Sequence, residues 1–192
     1  MREQFHPLYS GEMARVTAGD TSSLRGRNRM SFDIAYYVKK LRGPLDDERF
    51  RRNPVIEELV TAVMGAWRYG VTKAECPFKD SDTMAWHPDT ESTGDPGQAV
   101  RTTRLTFNVP LVDVNDANGP MEVIPGSHRM HHDGARLYID SVPQLYTVKV
   151  LMRRGDTMLR DGNLLHRGTP NLTDSPRILL DQTYRARDWP PL

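Results

Sequence analysis

The sequence predicts a mainly β fold, a barrel or sandwich with flanking helix. Three observations carry that prediction. Short apolar runs separated by Gly, Asp and Pro turns fill the second half of the 192-residue chain. Leu105, Phe107, Val109 and Leu111 alternate with Thr106, Asn108 and Pro110, the period of a strand with one packed and one polar face. One segment, after Asn53, has the three-and-four spacing of an amphipathic helix. The length suits a single domain over residues 1–192, with residues 1–52 as an arm carrying short elements and 53–187 as helix plus β core.

Residues 1–30 are polar, rich in Gly, Ser, Thr and Asp, and weakly periodic. They read as an irregular arm, either a lid over a site or disordered. Ser31–Leu41 fits a strand or a short helix equally well, and Gly43-Pro44 breaks the chain. Asn53 is a good N-cap, Pro54 takes the first helical position, and Glu57 and Glu58 suit the positive end of the helix. Val55, Ile56, Leu59, Val60, Val63 and Met64 form its apolar stripe, and it should end near Gly65. Trp67–Ala74 reads as a strand and Asp80-Ser81-Asp82 as a loop. Met84–Asp89 reads as a short strand that Pro88, lacking a donor, confines to an edge or a strand end. Thr90–Gln98 is a polar loop placed to cover a substrate. Arg101–Val114 is the best strand, and Asn115–Gly119 is a turn. Met121–Ile124, Val148–Met152, Thr157–Arg160, Leu164–His166 and Ile178–Tyr184 are short strands, the rhythm of a barrel or sandwich.

Composition excludes several function classes. Lys and Arg total 26 against 25 Asp and Glu, a formal charge of +1, which offers no field for nucleic acid or an anionic membrane. The local basic runs Arg25-Gly26-Arg27-Asn28-Arg29, Arg51-Arg52 and Arg153-Arg154 read as solvated surface. A single cysteine, Cys76, precludes an internal disulfide and a Cys-based metal cage, and reads as an inert core thiol. MREQFHPLYSGEM lacks the apolar run of a signal peptide, so a cytoplasmic setting is expected.

The chemistry concentrates in Trp86-His87-Pro88-Asp89 and in His166. On a strand, residues two apart share a face, so His87 and Asp89 can present an imidazole and a carboxylate together. With His166 as a third ligand the set is two histidines and one carboxylate, which leaves coordination positions open and suits a non-haem Fe(II) centre. His128, His131 and His132 have helical spacings that imitate a second site, but His128 reads as structural and the other two as exposed. Lys73 reads as surface and Trp86 as packing.

His87-x-Asp89, then Asn118-Gly119-Pro120-Met121-Glu122-Val123-Ile124-Pro125-Gly126-Ser127-His128, then His166 with Arg177 later in the chain, resembles the phytanoyl-CoA dioxygenase family of Fe(II)/2-oxoglutarate-dependent oxygenases. The likeness runs from about Asn53 to Arg187. It implies a double-stranded β-helix, or jelly-roll, with His87, Asp89 and His166 holding iron and Arg177 holding the far carboxylate of 2-oxoglutarate. It also implies that the chain crosses between two sheets from His166 to Arg177, and that Asn108, Thr106 and Thr169 contact the co-substrate. Fe(II) is then the cofactor, with 2-oxoglutarate and O₂ as co-substrates. Two neutral imidazoles and one carboxylate leave Fe(II) one positive charge, and arginine offers a planar, permanently charged fork to a carboxylate. Halogenating relatives carry a small residue where Asp89 stands, so hydroxylation is the expected reaction. The expected partner is a small-molecule substrate: a secondary metabolite, an amino-acid derivative or an acyl thioester. Relatives commonly carry more chain before the segment matching Asn53, so the cavity is expected to be either more open or completed by another subunit of a homo-oligomer. Two rival readings are a non-catalytic jelly-roll binding protein and a metal-dependent jelly-roll isomerase or hydrolase.

Overall fold

Alternation along the central strands sorts apolar and polar side chains onto opposite faces of one sheet. In the computed structural model, which describes residues 2–34, 52–90, 100–131, 138–141 and 144–188, this sheet has five antiparallel strands. In chain order they are β1 (Arg29–Asp33), β2 (Trp67–Pro77), β3 (Arg104–Pro110), β6 (Met158–Asp161) and β8 (Leu179–Ala186), arranged β1-β2-β8-β3-β6. A second sheet of three short strands, β4 (Met121–Val123), β5 (Val148–Val150) and β7 (His166–Gly168), has the order β5-β4-β7. Two antiparallel sheets joined by crossovers are the jelly-roll that the short-strand rhythm and the resemblance predict.

The apolar face of the large sheet packs under two helices. Met30 and Phe32 of β1, Ala74 and Cys76 of β2, Leu105 and Phe107 of β3, and Leu180 and Tyr184 of β8 form one core. Phe5 and Leu8 of α1 (Arg2–Thr17) and Ile56, Val60 and Met64 of α2 (Pro54–Met64) close it. Helix α2 starts and stops as its sequence dictates. The Asn53 side chain accepts from the amides of Val55 at 3.1 Å and Ile56 at 3.3 Å, and Gly65 ends the helix at φ 72°. Only the Ile56-Val60-Met64 row of its stripe is buried; Val55, Leu59 and Val63 are exposed, because the sheet covers a narrower arc than the apolar residues span.

Two expectations are corrected and one open alternative is resolved over its described part. Residues 1–30 are not an irregular arm: Arg2–Thr17 is helical and Arg29 begins a strand. The stripe Phe5, Leu8, Tyr9, Met13, Val16 carries helical spacing, but Pro7 and Gly11 disguise it, and Phe5 stacks on Phe32 at 5.9 Å only in the folded molecule. The ambiguous Ser31–Leu41 segment contributes strand as far as Asp33, and residues 35–41 lie outside the described residues. Met84–Asp89 is not a strand but an extended edge segment with a single bridge, His87 to His166, since Pro88 cannot donate to a ladder. The Thr90–Gln98 loop lies, beyond Thr90, outside the described residues. Among the described residues, no helix is long and apolar enough to cross a membrane.

Close contacts require glycine at Gly70 and Gly119, among other positions. Gly70 lies at a register shift between Tyr69 and Thr72, where a Cβ would fall 2.1 Å from the Thr183 hydroxyl. Gly119 has φ 83°, and a Cβ there would sit 2.7 Å from the Thr169 carbonyl oxygen.

Leu180 is fully buried at the centre of the core, so Leu180→Ala should cost about 2–5 kcal/mol of stability. Leu172→Ala, at an exposed site, should change it by less than about 0.5 kcal/mol. Urea midpoints at unchanged slope measure both; equal losses would contradict this placement of the core.

Candidate metal centre and its cavity

The polar face of the large sheet looks toward the small sheet, and the candidate site lies between them. Backbone pairing assembles it. The amides of His87 and His166 each donate to the other's carbonyl at 3.1 Å, Met84 N donates to Gly168 O at 3.0 Å, and Asp89 N donates to Gly162 O at 2.7 Å. The motif segment therefore runs along the free edge of β7. On the other edge, β4 pairs Val123 with His166 and Met121 with Gly168. The run from Asn118 to His128 is thus the scaffold of the second histidine. Ile124 N donates to Leu165 O at 3.0 Å, and the Ser127 hydroxyl accepts from Leu165 N at 2.9 Å.

Among the described residues, His87, Asp89 and His166 are the group of His, Cys, Asp or Glu whose ligand atoms converge, all within 4.8 Å of one another. Both imidazoles are oriented by backbone carbonyls. His87 Nδ1 faces Ala85 O at 2.9 Å, and His166 Nδ1 faces Leu164 O at 2.8 Å. A carbonyl only accepts, so the proton sits on each Nδ1 and each Nε2 keeps its lone pair. The Arg160 Nη1 that lies 3.5 Å from His166 Nδ1 is then one donor beside another, not a hydrogen bond. Burial, reinforced by Arg160 and only partly opposed by Asp89, lowers the His166 pKa to about 3. The ring is therefore neutral at neutral pH, as a metal ligand must be.

Asp89 is held as a carboxylate. Burial alone would raise its pKa, but Arg160, whose Nη2 lies 2.7 Å from Oδ2, outweighs it together with Arg104 and keeps it below the usual range. The Thr106 hydroxyl donates to the same oxygen at 3.4 Å.

The adjoining cavity of about 90 Å³ brings Arg177 into the same space as the three candidate ligands. Arg177 is 4% exposed, and its Nε has no hydrogen-bond partner. The chain does cross between sheets from His166 on β7 to Arg177 just before β8, as the resemblance implies. The remaining sequence candidates do not line the cavity. Asn108 donates to Asp181, Thr106 lies beneath Asp89, and the Thr169 hydroxyl donates to Pro120 O at 2.7 Å. His128 sits in a 3-10 turn, and His132 lies outside the described residues.

Four charged groups of the cavity wall escaped the sequence reading: Arg29, Glu75, Arg160 and Asp181. Register explains why they converge. Arg29 lies opposite Pro77, Glu75 opposite Ser31 and Leu179, Asp181 opposite Asn108, and Thr106 opposite Arg160. Each is on the polar face of its strand, a period-two signal available for Asp181 and Arg160 once their strands were assigned, whereas Glu75 lay one residue beyond the expected strand Trp67–Ala74. Arg29 is the firm correction: its basic run was read as surface, yet it is 2% exposed. Burial, and repulsion from Glu75, raises the Asp181 pKa to about 7 against the pull of Arg160. Glu75 is raised by burial as well, although the Ser31 hydroxyl donates to it at 2.6 Å.

Comparison with known proteins agrees with this fold. The sequence model of the family described as phytanoyl-CoA dioxygenase (PhyH) matches residues 38–179. Among solved structures, the non-heme alpha ketoglutarate dependent carbocyclase SnoK from nogalamycin biosynthesis is 23% identical, with 97% of this chain and 76% of that chain covered at a TM-score of 0.67. The epimerase SnoN, in complex with Fe3+, alpha ketoglutarate and nogalamycin RO, is 24% identical over 93% and 73% of the two chains, with a TM-score of 0.64. HygX from Streptomyces hygroscopicus, with nickel, 2-oxoglutarate and hygromycin B bound, is 16% identical over 94% and 78%, also at 0.64.

The raised Asp181 pKa has a signed consequence for stability. The folded chain keeps a proton on this group where the unfolded chain has lost it, so stability falls as pH rises from about 4 to about 7 and levels above. Asp181→Asn removes that titration. Its urea midpoint relative to the parent should rise across this window, and a pH-independent difference would show that Asp181 titrates normally.

Proposed function

Since the chain belongs to the phytanoyl-CoA dioxygenase family of Fe(II)/2-oxoglutarate-dependent oxygenases, we propose that it hydroxylates a small molecule, with His87, Asp89 and His166 holding iron and Arg177 holding 2-oxoglutarate. The observation that carries the reading is the convergence of three ligand atoms beside a buried guanidinium in one cavity. The donor set fits the metal: two neutral imidazoles with Nε2 lone pairs and one ionised carboxylate on a single side, leaving further positions open. The unpartnered Nε of Arg177 fits a carboxylate acceptor.

Iron bound there would couple oxidative decarboxylation of 2-oxoglutarate, giving succinate and CO₂, to transfer of the second atom of O₂ into a C–H bond. The protein's own groups do the positioning. The Ala85 and Leu164 carbonyls hold both rings in one tautomer. Arg160 and Arg104 keep Asp89 ionised, so no proton has to leave before metal binds. Burial around Arg177 strengthens its attraction for an anion by excluding water.

Asp89 occupies the position that halogenating relatives leave to a small residue, which favours oxygen transfer. A small-molecule substrate is supported by the ligands named for HygX and SnoN, hygromycin B and nogalamycin RO. SnoK and SnoN are named a carbocyclase and an epimerase, so the reaction outcome is read from product mass. Hydroxylation adds one oxygen atom; cyclisation and epimerisation add none.

Equilibrium dialysis should show about one Fe(II) per chain, lost in Asp89→Ala and His166→Ala. Fe(II)-dependent succinate formation should disappear with it. Arg177→Ala should keep the iron and raise the 2-oxoglutarate requirement about 10- to 100-fold, the worth of a charge-assisted hydrogen bond. Normal co-substrate consumption by all three variants would overturn the assignments.

A further inference from the structure

The first strand sends a charged side chain into the cavity that none of the roles above uses. Arg29 lies on β1 opposite Pro77, and the Pro77 carbonyl accepts from the amide of Arg177 at 3.1 Å. The two arginines thus flank one residue on the polar face of the sheet, and both line the cavity.

A purely structural role accounts for part of Arg29. Its Nη2 donates to the carbonyls of Asp82 at 2.8 Å and Thr169 at 3.0 Å, tying the strand to two loops. These two bonds leave Nε unused. Nε is buried with no hydrogen-bond partner, and the carboxylate oxygen in ion-pair range of it, Asp82 Oδ1, is itself buried and stands 4.0 Å away, too far for a hydrogen bond. Glu75, the carboxylate that faces it from β2, already accepts from Ser31. Burial and repulsion from Arg177 lower the Arg29 pKa to about 10, against Asp82 and Glu75, so it still carries its proton at neutral pH. Two desolvated cations side by side are costly unless an anion joins them.

Space has been kept for this arrangement. Gly168 stands two residues after His166 on β7, on the cavity side, and a Cβ there would fall 2.5 Å from Arg29 Nη1. A side chain at 168 would force the guanidinium to shift from its present position.

We propose that Arg29 is a second guanidinium for the far carboxylate of the 2-oxo diacid. It acts beside Arg177 and makes the pocket select a dicarboxylate over a monocarboxylic 2-oxo acid. The proposal rests on the 2-oxoglutarate reading above.

The test is equilibrium binding without turnover. Protein loaded with Mn(II) is titrated anaerobically by calorimetry with 2-oxoglutarate and with 2-oxopentanoate, which has the same chain length without the far carboxylate. In Arg29→Met the 2-oxoglutarate Kd should rise about 10- to 100-fold while that of 2-oxopentanoate stays within about threefold. Arg29→Lys, which keeps the charge but loses the fork, should fall between, and Gly168→Ala should reproduce the loss with arginine still present. If Arg29→Met does not fold, as judged by its thermal midpoint, the other two variants give the same readout. Equal weakening of both acids, or of neither, overturns the assignment of Arg29 and leaves the oxygenase reading standing. A parent protein that binds Mn(II) but shows no preference for 2-oxoglutarate overturns both.

Discussion

The reciprocal backbone pair between His87 and His166, 3.1 Å in each direction, is the constraint on which the candidate site depends. It clamps two remote stretches of chain edge to edge, with their rings 4.4 Å apart. Because each Nδ1 is committed to a nearby carbonyl, backbone position alone determines where each Nε2 points. The run from Asn118 to His128 works on the opposite edge of β7, through β4 and the Ser127 hydroxyl. A strand of three residues is therefore held from both sides. Candidate ligands preorganised on paired backbone would need little rearrangement to bind a cation.

The same sheet serves stability on one face and chemistry on the other. Outward residues such as Phe32, Ala74, Phe107 and Leu180 are packed under helices, and the area they bury supplies the hydrophobic stabilisation. Charged residues of the inward face, Arg29, Glu75, Arg160 and Asp181, share the cavity with Arg177 just before β8 and with Asp89 of the motif segment. Buried charge is expensive and the pairing is incomplete, as the orphaned Nε atoms of all three arginines show. The pKa directions register the strain. Asp89, closest to Arg160, is pulled down, whereas Asp181 and Glu75, with weaker partners, are pushed up. A cavity wall that is positive once those two acids hold protons is suited to receiving an anion.

The N-terminal region belongs to this architecture and is no appendage to it. Helix α1 covers the core through Phe5 and Leu8, and β1 extends the large sheet by one strand. Through Arg29 that strand touches the Asp82 loop, the Thr169 carbonyl and the space beside Gly168. Folding of the first thirty-odd residues is thereby coupled to the shape of the cavity.

By itself the sequence determined the β class, the caps of α2, most strand positions and the identity of the candidate ligands. These are local properties: a period of two, a period of 3.6, turn residues and the donor chemistry of His, Asp and Arg. The resemblance carried His166 and Arg177, which no local pattern links to His87. Only the tertiary structure decided that Arg29 is buried in a run that reads as solvated surface, that Arg160 secures Asp89, and that Thr169 turns its hydroxyl to Pro120. Those outcomes follow from which strands become neighbours and in what register. A side chain's burial and partners are set across the sheet, by residues far away along the chain, and sequence order does not encode that adjacency.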